Sequence, residues 1–458
     1  MKSSIAIAGA SGFVGKALAL ALRENYTVIG LSRRIPLNPP SLGPEIWRSC
    51  DLFSLIEAEK ALKGVDHAFY LVHSMMPSAR LIQGRFEDLD LIAADNFARA
   101  AKMNGVKRIY YLGGLLPPHV APEALSRHLR SRWEVEQTLA AHGTPVTALR
   151  AGMVVGTEGS SFQMLVRLVR RLPIMICPHW TESLTQPIDI DDIVRLLQFC
   201  LENEEKTAGQ TFDVGSPDVL TYRGMIQETS AFFGKKKLLL KFPWFTPGLS
   251  RLWVSVVTGA PKALVLPLVE SLHYDMVAGD RRLQKLAGVE GLTFHESLVK
   301  ALSKPSPHSF PMASKIQAGS SVRSVQRLSL PLKYDAWWAA EEYVRWLPQA
   351  FPFFIKVTTE NPGRCHFSFP FLKKPLLILD FAPERSTPHR ALFYIRGGLL
   401  VREPSRGRFE FRELWDRRAL LACIHEFRPR LPWIIYTFTQ AILHRWVMAS
   451  FGRHLRRL

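Results

Sequence analysis

The chain has 458 residues, 47% hydrophobic and 22% charged, a balance that excludes wholesale disorder and leaves room for two or three domains with ordinary cores. A formal net charge of +19 points to anionic partners: phosphate-bearing cofactors, nucleic acid or an acidic membrane surface. The lysines and arginines are scattered rather than gathered into a stripe, so nucleic acid is not the expected partner.

Five cysteines (Cys50, Cys177, Cys200, Cys365 and Cys423) form no CxxC pair, and an odd count suits reduced, buried thiols. No Cys/His spacing suggests a metal site, and none is expected. No run of about 18 uninterrupted apolar residues occurs, so a membrane-spanning helix is not expected. The opening MKSSIAIAGASGFVG is too short in its apolar run, and too broken by glycine, for a signal peptide. A cytoplasmic protein is the expectation.

From the N-terminus, SIAIAG, TVIGLS, HAFYLV, KRIYYLGG and PVTALRAG read as buried strands. Between them FVGKALALALRE, SLIEAEKALKG, GRFEDLDLIAADNFARAAKMNG and EALSRHLRSRWEVEQTLAAHG read as helices. The alternation predicts parallel βαβ units in a doubly wound α/β, Rossmann-like sheet. Residues 156–300 run in longer, less regular blocks, read as a small substrate lobe. Within them QPIDIDDIVRLLQFCLEN holds a helix that starts after an acidic cap, Asp189 or Asp191. The proline-divided apolar stretch PWFTPGLSRLWVSVVTGAPKALVLPLVESLHYDM reads as helices of that lobe. Together, 1–302 make the first domain.

Residues 303–321 are rich in Ser and Pro and read as a linker. Over 322–458 an aromatic helix, AWWAAEEYVRWLPQAF, precedes five strand-like runs: CHFSFPF, PLLILDF, ALFYIRGGLLV, GRFEFRELW and ALLACIHEFRP. A final apolar segment, PWIIYTFTQAILHRWVMASFGRHLRRL, ends in a basic cluster. This predicts a C-terminal α+β domain, with a long helix lying across a curved antiparallel sheet. Trp337, Trp338, Tyr343 and Trp346 either line an apolar ligand cavity or fill a helix–sheet core. The final segment packs on a core or lies on a membrane surface, with the core as default.

The strongest local signal is IAIAGASGFVGKALALAL, where Gly9, Gly12 and Gly15 stand between the first strand and its helix. Glycine permits the tight turn and close approach of a pyrophosphate, and the helix N-terminus favours an anion. The second strand ends in Ser32, Arg33 and Arg34, where an NAD site usually presents an acid to the ribose. Arginine suits a 2′-phosphate, so NADP(H) is preferred and NAD(H) is the alternative.

These motifs, with the CDL step at Cys50–Leu52, FYLVHSM, RIYYLGGL and PVTALRAGMVVG, resemble an extended or atypical short-chain dehydrogenase/reductase. The likeness is to the bacterial YbjT-type NAD(P)-binding proteins, near NmrA-like sensors and nucleotide-sugar epimerases, and covers roughly residues 1–300. The C-terminal part bears a weaker likeness to a helix-grip domain enclosing an apolar small molecule. The family resemblance implies that Gly9, Ser11, Gly12, Phe13, Val14 and Gly15 hold the pyrophosphate. It places Ser32 and Arg33 at the 2′-phosphate, and Asp51 and Leu52 beside adenine. Val72, His73 and Ser74 then run along the cofactor ribose, and Leu112 and Gly113 lie near the nicotinamide.

The family's usual Ser, Tyr and Lys are missing. Gly113 and Gly114 fill the Ser region, and the register of Tyr and Lys is occupied by His128 and Arg132. These two are the candidate catalytic pair, with a cofactor contact by Arg132 or a simple helix face as alternatives. Two functions follow. One is a divergent NADP(H)-dependent oxidoreductase acting on an apolar or carbonyl substrate. The other is a non-catalytic NADP(H) sensor or assembly factor acting on a protein partner or peripherally at the inner membrane surface.

Overall fold

The computed structural model describes residues 2–36, 43–73, 81–234, 237–241, 259, 262–303, 321–360, 363–402 and 406–458. The chain divides into two compact units, one of Met1–Met76 with Asp90–Met312 and one of Pro77–Leu89 with Ala313–Leu458.

The first unit alternates strand and helix as the periodicity predicts. In order it runs β1 (Ser4–Ala8), α1 (Phe13–Leu22), β2 (Thr27–Ser32), β3 (Ile46–Ser49), α2 (Leu55–Ala61) and β4 (His67–Tyr70). A short strand, β5 (Leu81–Gln83), belongs to the second unit. There follow α3 (Phe86–Met103), β6 (Arg108–Gly114), α4 (Arg127–Ala140) and β7 (Val146–Ala151). After β8 (Val154–Val155) come α5 (Ser160–Arg171), β9 (Ile174–Cys177), β10 (Leu184–Thr185), β11 (Ile188–Asp189), α6 (Ile190–Glu202) and β12 (Thr211–Val214). Seven strands pair in parallel in the order β12-β7-β6-β4-β1-β2-β3. The order reverses beside β1, which creates a crevice at the strands' carboxyl ends, where open α/β sheets take ligands. Both faces of β1 are covered: Ile5 and Ile7 join the core with α1 and α6, while Ala6 and Ala8 are buried too. Such two-sided burial explains why these strands read as continuous apolar runs.

Two details depart from the sequence reading, and a third settles an alternative it left open. The edge strand β3, sequence IWRS, was not foreseen. It is half-exposed and carries no apolar run. Helix α4 starts at Arg127 rather than Glu123, because Ser126 accepts from the Leu129 N–H and caps it. Asp189, not Asp191, caps α6, accepting from the Asp191 N–H at 2.9 Å. Residues 242–258 of the apolar lobe stretch lie outside the described residues; the helix Lys262–Ser271 follows them. A separate lobe core gathers Phe162, Val169, Met225, Val265, Phe294 and Leu298.

The second unit is an eight-stranded sheet. The strands β13 (Leu220–Thr221) and β14 (Leu238–Lys241) close the lobe, and β15 (Val322–Ser329) opens this sheet. It continues with β16 (Lys356–Glu360), β17 (Arg364–Ser368), β18 (Leu377–Phe381), β19 (Arg390–Gly397), β20 (Arg408–Glu413) and β21 (Ala419–Phe427). The order is β16-β17-β18-β19-β20-β21-β15-β5. The α+β expectation holds with one correction: the sheet is mixed, because β5 pairs with β15 in parallel. That strand comes from the middle of the stretch read as the first domain, a long-range pairing that local periodicity cannot announce. The stretch 303–321 read as a linker lies, apart from its first and last residues, outside the described residues.

One sheet face is apolar: Phe393, Phe409, Phe411, Leu420 and Ala422 pack with Tyr343, Met448 and Phe451 of the helices Ala336–Ala350 and Gln440–Leu455. Tyr343 lies against the rings of Phe409, Phe411 and Phe451, so it fills the core. Among the described residues no helix is long and apolar enough to cross a membrane. All five cysteines are buried.

Candidate active site

Between β1 and α1 the chain turns through glycines that cannot be replaced without strain. Gly9 takes φ +94°, and a Cβ there would stand 2.8 Å from the Leu71 carbonyl oxygen. At Gly15 a Cβ would come within 2.2 Å of the Gly9 carbonyl oxygen. The first glycine is therefore set by backbone hand and the second by closure of loop on helix. Gly12 caps α1 in an extended conformation, with no side-chain hydrogen bond and no acidic residue in the first turn. Helix geometry leaves the N–H groups of Phe13, Val14 and Gly15 without intrahelical acceptors, and Ser11 is exposed at the tip. The phenyl ring of Phe13 lies against Gly156 and Gly159, where a Cβ would approach it to 2.5 and 3.2 Å. Lys16 pairs with Glu158 at 2.8 Å. This is a cradle that fits a pyrophosphate.

At the end of β2 the Ser32 hydroxyl donates to the Arg34 carbonyl oxygen at 2.8 Å. Arg33 and Arg34 are exposed. The Asp51 carboxylate accepts from the Phe53 N–H at 3.2 Å, and the Asp51 N–H donates to Glu57 at 2.8 Å. Leu52 is buried, and its carbonyl accepts from Asn96 at 2.8 Å. Val72 and His73 follow β4, while Ser74 lies outside the described residues. Leu112 and Gly113 close β6, and a Cβ on the adjacent Gly114 would stand 3.5 Å from Cγ of Arg132.

The helical spacing of His128 and Arg132 does what four residues imply: both face the carboxyl ends of β4 and β6. The His73 and His128 rings lie 5.4 Å apart. Nη2 of Arg132 donates to Oδ2 of Asp90 at 2.7 Å and lies 3.2 Å from Nδ1 of His73. The same carboxylate oxygen accepts from the Ser131 hydroxyl at 3.0 Å and stands 3.3 Å from Nδ1 of His73. Among the described residues, buried Nδ1 of His128, buried Nε2 of His73 and the buried Tyr70 hydroxyl have no hydrogen-bond partner. Burial, with Arg132 beside it, lowers the pKa of His73. Burial, with His73 and then Arg132 adjacent, pulls His128 well below the ordinary histidine value. Both imidazoles are thus neutral at pH 7, each with a buried nitrogen that has no hydrogen-bond partner among the described residues. The Tyr111 hydroxyl donates to the Arg132 carbonyl oxygen at 3.0 Å, while Tyr110 stacks on Phe69 on the other sheet face.

Residues 5–215 match the NAD dependent epimerase/dehydratase family. This part of the chain is similar to that family. Over 149 residues the chain is 32% identical to the auxiliary protein GraX of Staphylococcus aureus, covering 32% of this chain and 43% of GraX. It thus spans less than half the length of that relative. The fold is also similar to a nucleoside-diphosphate-sugar epimerase from Staphylococcus aureus (TM-score 0.51, 16% identity, 65% of this chain and 99% of that one). A similar likeness holds for an NADPH-dependent quinone oxidoreductase from Escherichia coli (TM-score 0.50, 20% identity, 65% and 99%). A third is the Citrobacter sp. triphenylmethane reductase complexed with NADP(H) (TM-score 0.50, 18% identity, 65% and 99%). At these identities the structures establish the fold. The resemblance to an atypical short-chain dehydrogenase/reductase is borne out for this part of the chain.

Within the epimerase/dehydratase fold, His73, His128 and Arg132 come together, and the glycine turn lies at the same carboxyl edge of the sheet. Sequence reasoning missed Asp90, the carboxylate that ties Arg132, Ser131 and His73 into one cluster. Its signal was present: an acid inside the apolar run LDLIAADNF of α3 must find a cation once buried. Tyr70 was also missed, because a tyrosine in a strand reads as core.

Proposed function

We propose that the N-terminal unit binds NADP(H) and works as a divergent short-chain oxidoreductase on an apolar or carbonyl substrate. The observation that supports this best is the neutral His73–His128 pair, with open nitrogens, at the sheet edge that carries the glycine turn. In this reading Gly9, Ser11, Gly12, Phe13, Val14 and Gly15 hold the pyrophosphate, and Ser32 and Arg33 take the 2′-phosphate. Asp51 and Leu52 flank adenine; Val72, His73 and Ser74 follow the ribose; Leu112 and Gly113 border the nicotinamide. When bound, NADPH supplies the hydride. His128 holds the substrate oxygen by a neutral N–H and relays a proton to it, taking one from water at its other ring nitrogen as it gives one up, so that the imidazole ends neutral. Arg132 serves by fixing His73 and the local charge, since its guanidinium is engaged by Asp90. The names of two structural neighbours, an NADPH-dependent quinone oxidoreductase and a reductase complexed with NADP(H), support the choice of nucleotide and of reaction class.

The second reading is a non-catalytic NADP(H) sensor or assembly factor. It is favoured by that same Asp90–Arg132 pair, which leaves the register of the usual lysine without a free ammonium for the ribose. Titration with NADPH and NADH, followed by NADPH fluorescence, tests both readings. Binding should favour NADPH, weaken about tenfold or more on Arg33→Ala, and vanish on Gly12→Asp. NADPH oxidation dependent on an added quinone or aldehyde selects the enzyme. Tight binding without turnover across such carbonyls selects the sensor, and no binding of either nucleotide overturns both.

A further inference from the structure

The second unit carries an apolar surface that its own core does not use. Helix Gln440–Leu455 buries Val447, Met448, Phe451 and Leu455. Its other side, with the preceding helix Trp433–Phe438, exposes Ile434, Ile435, Phe438, Ile442 and Trp446 at helical spacing. Ile434 is 77% and Phe438 71% exposed, values that no folding core explains. The surface continues through ring contacts. Trp446 lies 5.0 Å from Phe351, whose carbonyl oxygen accepts from the Phe354 N–H, and the rings of Phe354, Phe369 and Phe371 follow one another 6.4 and 5.7 Å apart. Phe353 and Phe371 are 78% and 85% exposed.

The rim of this surface is basic. Lys373 and Lys374 are exposed directly after Phe371 and Leu372. The Leu399 N–H donates to the Pro375 carbonyl oxygen, and the Arg430 N–H to that of Leu400, so the lysine turn and exposed Arg430 sit at one end of the sheet. Arg445 is exposed between Leu443 and Trp446 on the helix itself. Aromatic and aliphatic side chains projecting from a surface, flanked by exposed cations that make no ion pair among the described residues, suit an interface of hydrocarbon beneath anionic headgroups. A protein partner would be expected to offer acids only at specific points, whereas a lipid surface meets the whole rim at once. The net charge of +19 adds long-range attraction of the same sign.

We propose that this face of the second unit docks on the surface of an anionic lipid bilayer, with the exposed rings entering the headgroup layer and the rim held by lipid phosphates. The dock is peripheral and independent of nucleotide binding.

Co-sedimentation of the full chain with vesicles of phosphatidylglycerol and phosphatidylcholine, against phosphatidylcholine alone, tests it. Binding should need the anionic lipid and fall as salt rises from 50 to 500 mM. Lys373→Glu with Lys374→Glu should weaken it by about fivefold per residue or more, since each basic group near such a surface contributes about that factor. Phe371→Ser with Phe438→Ser should remove it, while NADPH affinity and melting temperature stay unchanged. Absence of wild-type binding to anionic vesicles overturns the proposal without recourse to any variant. Equal binding to both lipids, or light scattering showing a dimer that Phe438→Ser dissociates, also overturns it; the latter assigns the face to a second copy of the chain.

Discussion

Each unit buries a carboxylate among arginine and histidine, and the two clusters differ in where they sit. In the first, Asp90 holds Arg132, Ser131 and His73 at the carboxyl edge of a parallel sheet, beside a glycine turn. In the second, Glu410 sits in mid-strand on β20 and accepts from Arg390 at 2.8 Å and from Arg412 at 2.9 Å, with His425 at 3.2 Å. Burial alone would raise the Glu410 carboxyl; Arg390, Arg412 and His425 outweigh it and hold that carboxyl well below its ordinary range. Glu410, Cys423 and His425 also bring three possible ligand atoms within 4.8 Å. Two guanidiniums already occupy that carboxylate, and burial, with Glu410 next to it, keeps the Cys423 thiol protonated. A cation would find that place already filled with positive charge. Residue types alone therefore do not mark a site. What separates the clusters is location: among the described residues each keeps an imidazole nitrogen without a hydrogen-bond partner, Nδ1 of His128 in one and Nδ1 of His425 in the other, but the first lies at the carboxyl ends of a parallel sheet beside the glycine turn and the second is closed within a sheet.

The largest expected effect falls on the closed cluster. Glu410→Ala strands two buried guanidiniums and should cost about 3–5 kcal/mol in chemical denaturation of the second unit. A loss below 1 kcal/mol would mean that Glu410 does not organise that face. Asp90→Asn comes next. It keeps the shape but removes the charge facing Arg132, and should cost about 2 kcal/mol. This variant should also change NADPH turnover or affinity, which Glu410→Gln should not; identical functional profiles would erase the distinction between the clusters.

Acid should act on the closed cluster more gently. Burial pushes His425 down to about 4, even against Glu410, while the unfolded chain holds an ordinary histidine near 6.5. Between these values the unfolded state binds the extra proton, so stability is full above about pH 6.5 and is lost as pH falls toward 4. The slope should be about 1 kcal/mol per pH unit for this group. His425→Gln should flatten the denaturation midpoint over that window; an unchanged slope would place the titration elsewhere. His73 and His128 shift in the same direction and add to the wild-type slope with the same sign.

Much of the fold was legible because parallel strands buried on both faces write themselves as apolar runs: TVIGLS and HAFYLV could be little else. The glycine turn was legible for the same kind of reason, since Gly9 and Gly15 meet steric limits that no other residue passes. β5 was not, because its three residues gain meaning only from β15, more than 200 positions later in the chain. The polar face of the second sheet was also hidden. Glu410 and Arg412 alternate with Phe409 and Phe411 as a solvent-facing strand would, and nothing local says that the polar side is buried as well. At the candidate site, His128 and Arg132 were found by register, whereas Asp90 needed the tertiary pairing of α3 with α4.

The smallest expected effect on stability is the most informative about function. His128 is half-buried, and its Nδ1 makes no hydrogen bond among the described residues, so His128→Ala removes a ring contact with His73 and no described polar bond. Denaturation should move by less than about 1 kcal/mol. The ring that remains, His73, keeps Arg132 beside it, which disfavours its protonated form, and Asp90, which favours it. If the open pair handles the proton, turnover of a carbonyl substrate should fall about 100-fold or more, with NADPH affinity changed by less than about threefold. His128→Gln should restore little, because an amide can hold a substrate oxygen but cannot relay a proton. Rescue by glutamine would show that the group orients and does not transfer, and unchanged turnover in His128→Ala would remove the pair from the chemistry. An open nitrogen would then be a vacancy in the packing rather than a tool, and the contrast between the two clusters would rest on Asp90 alone.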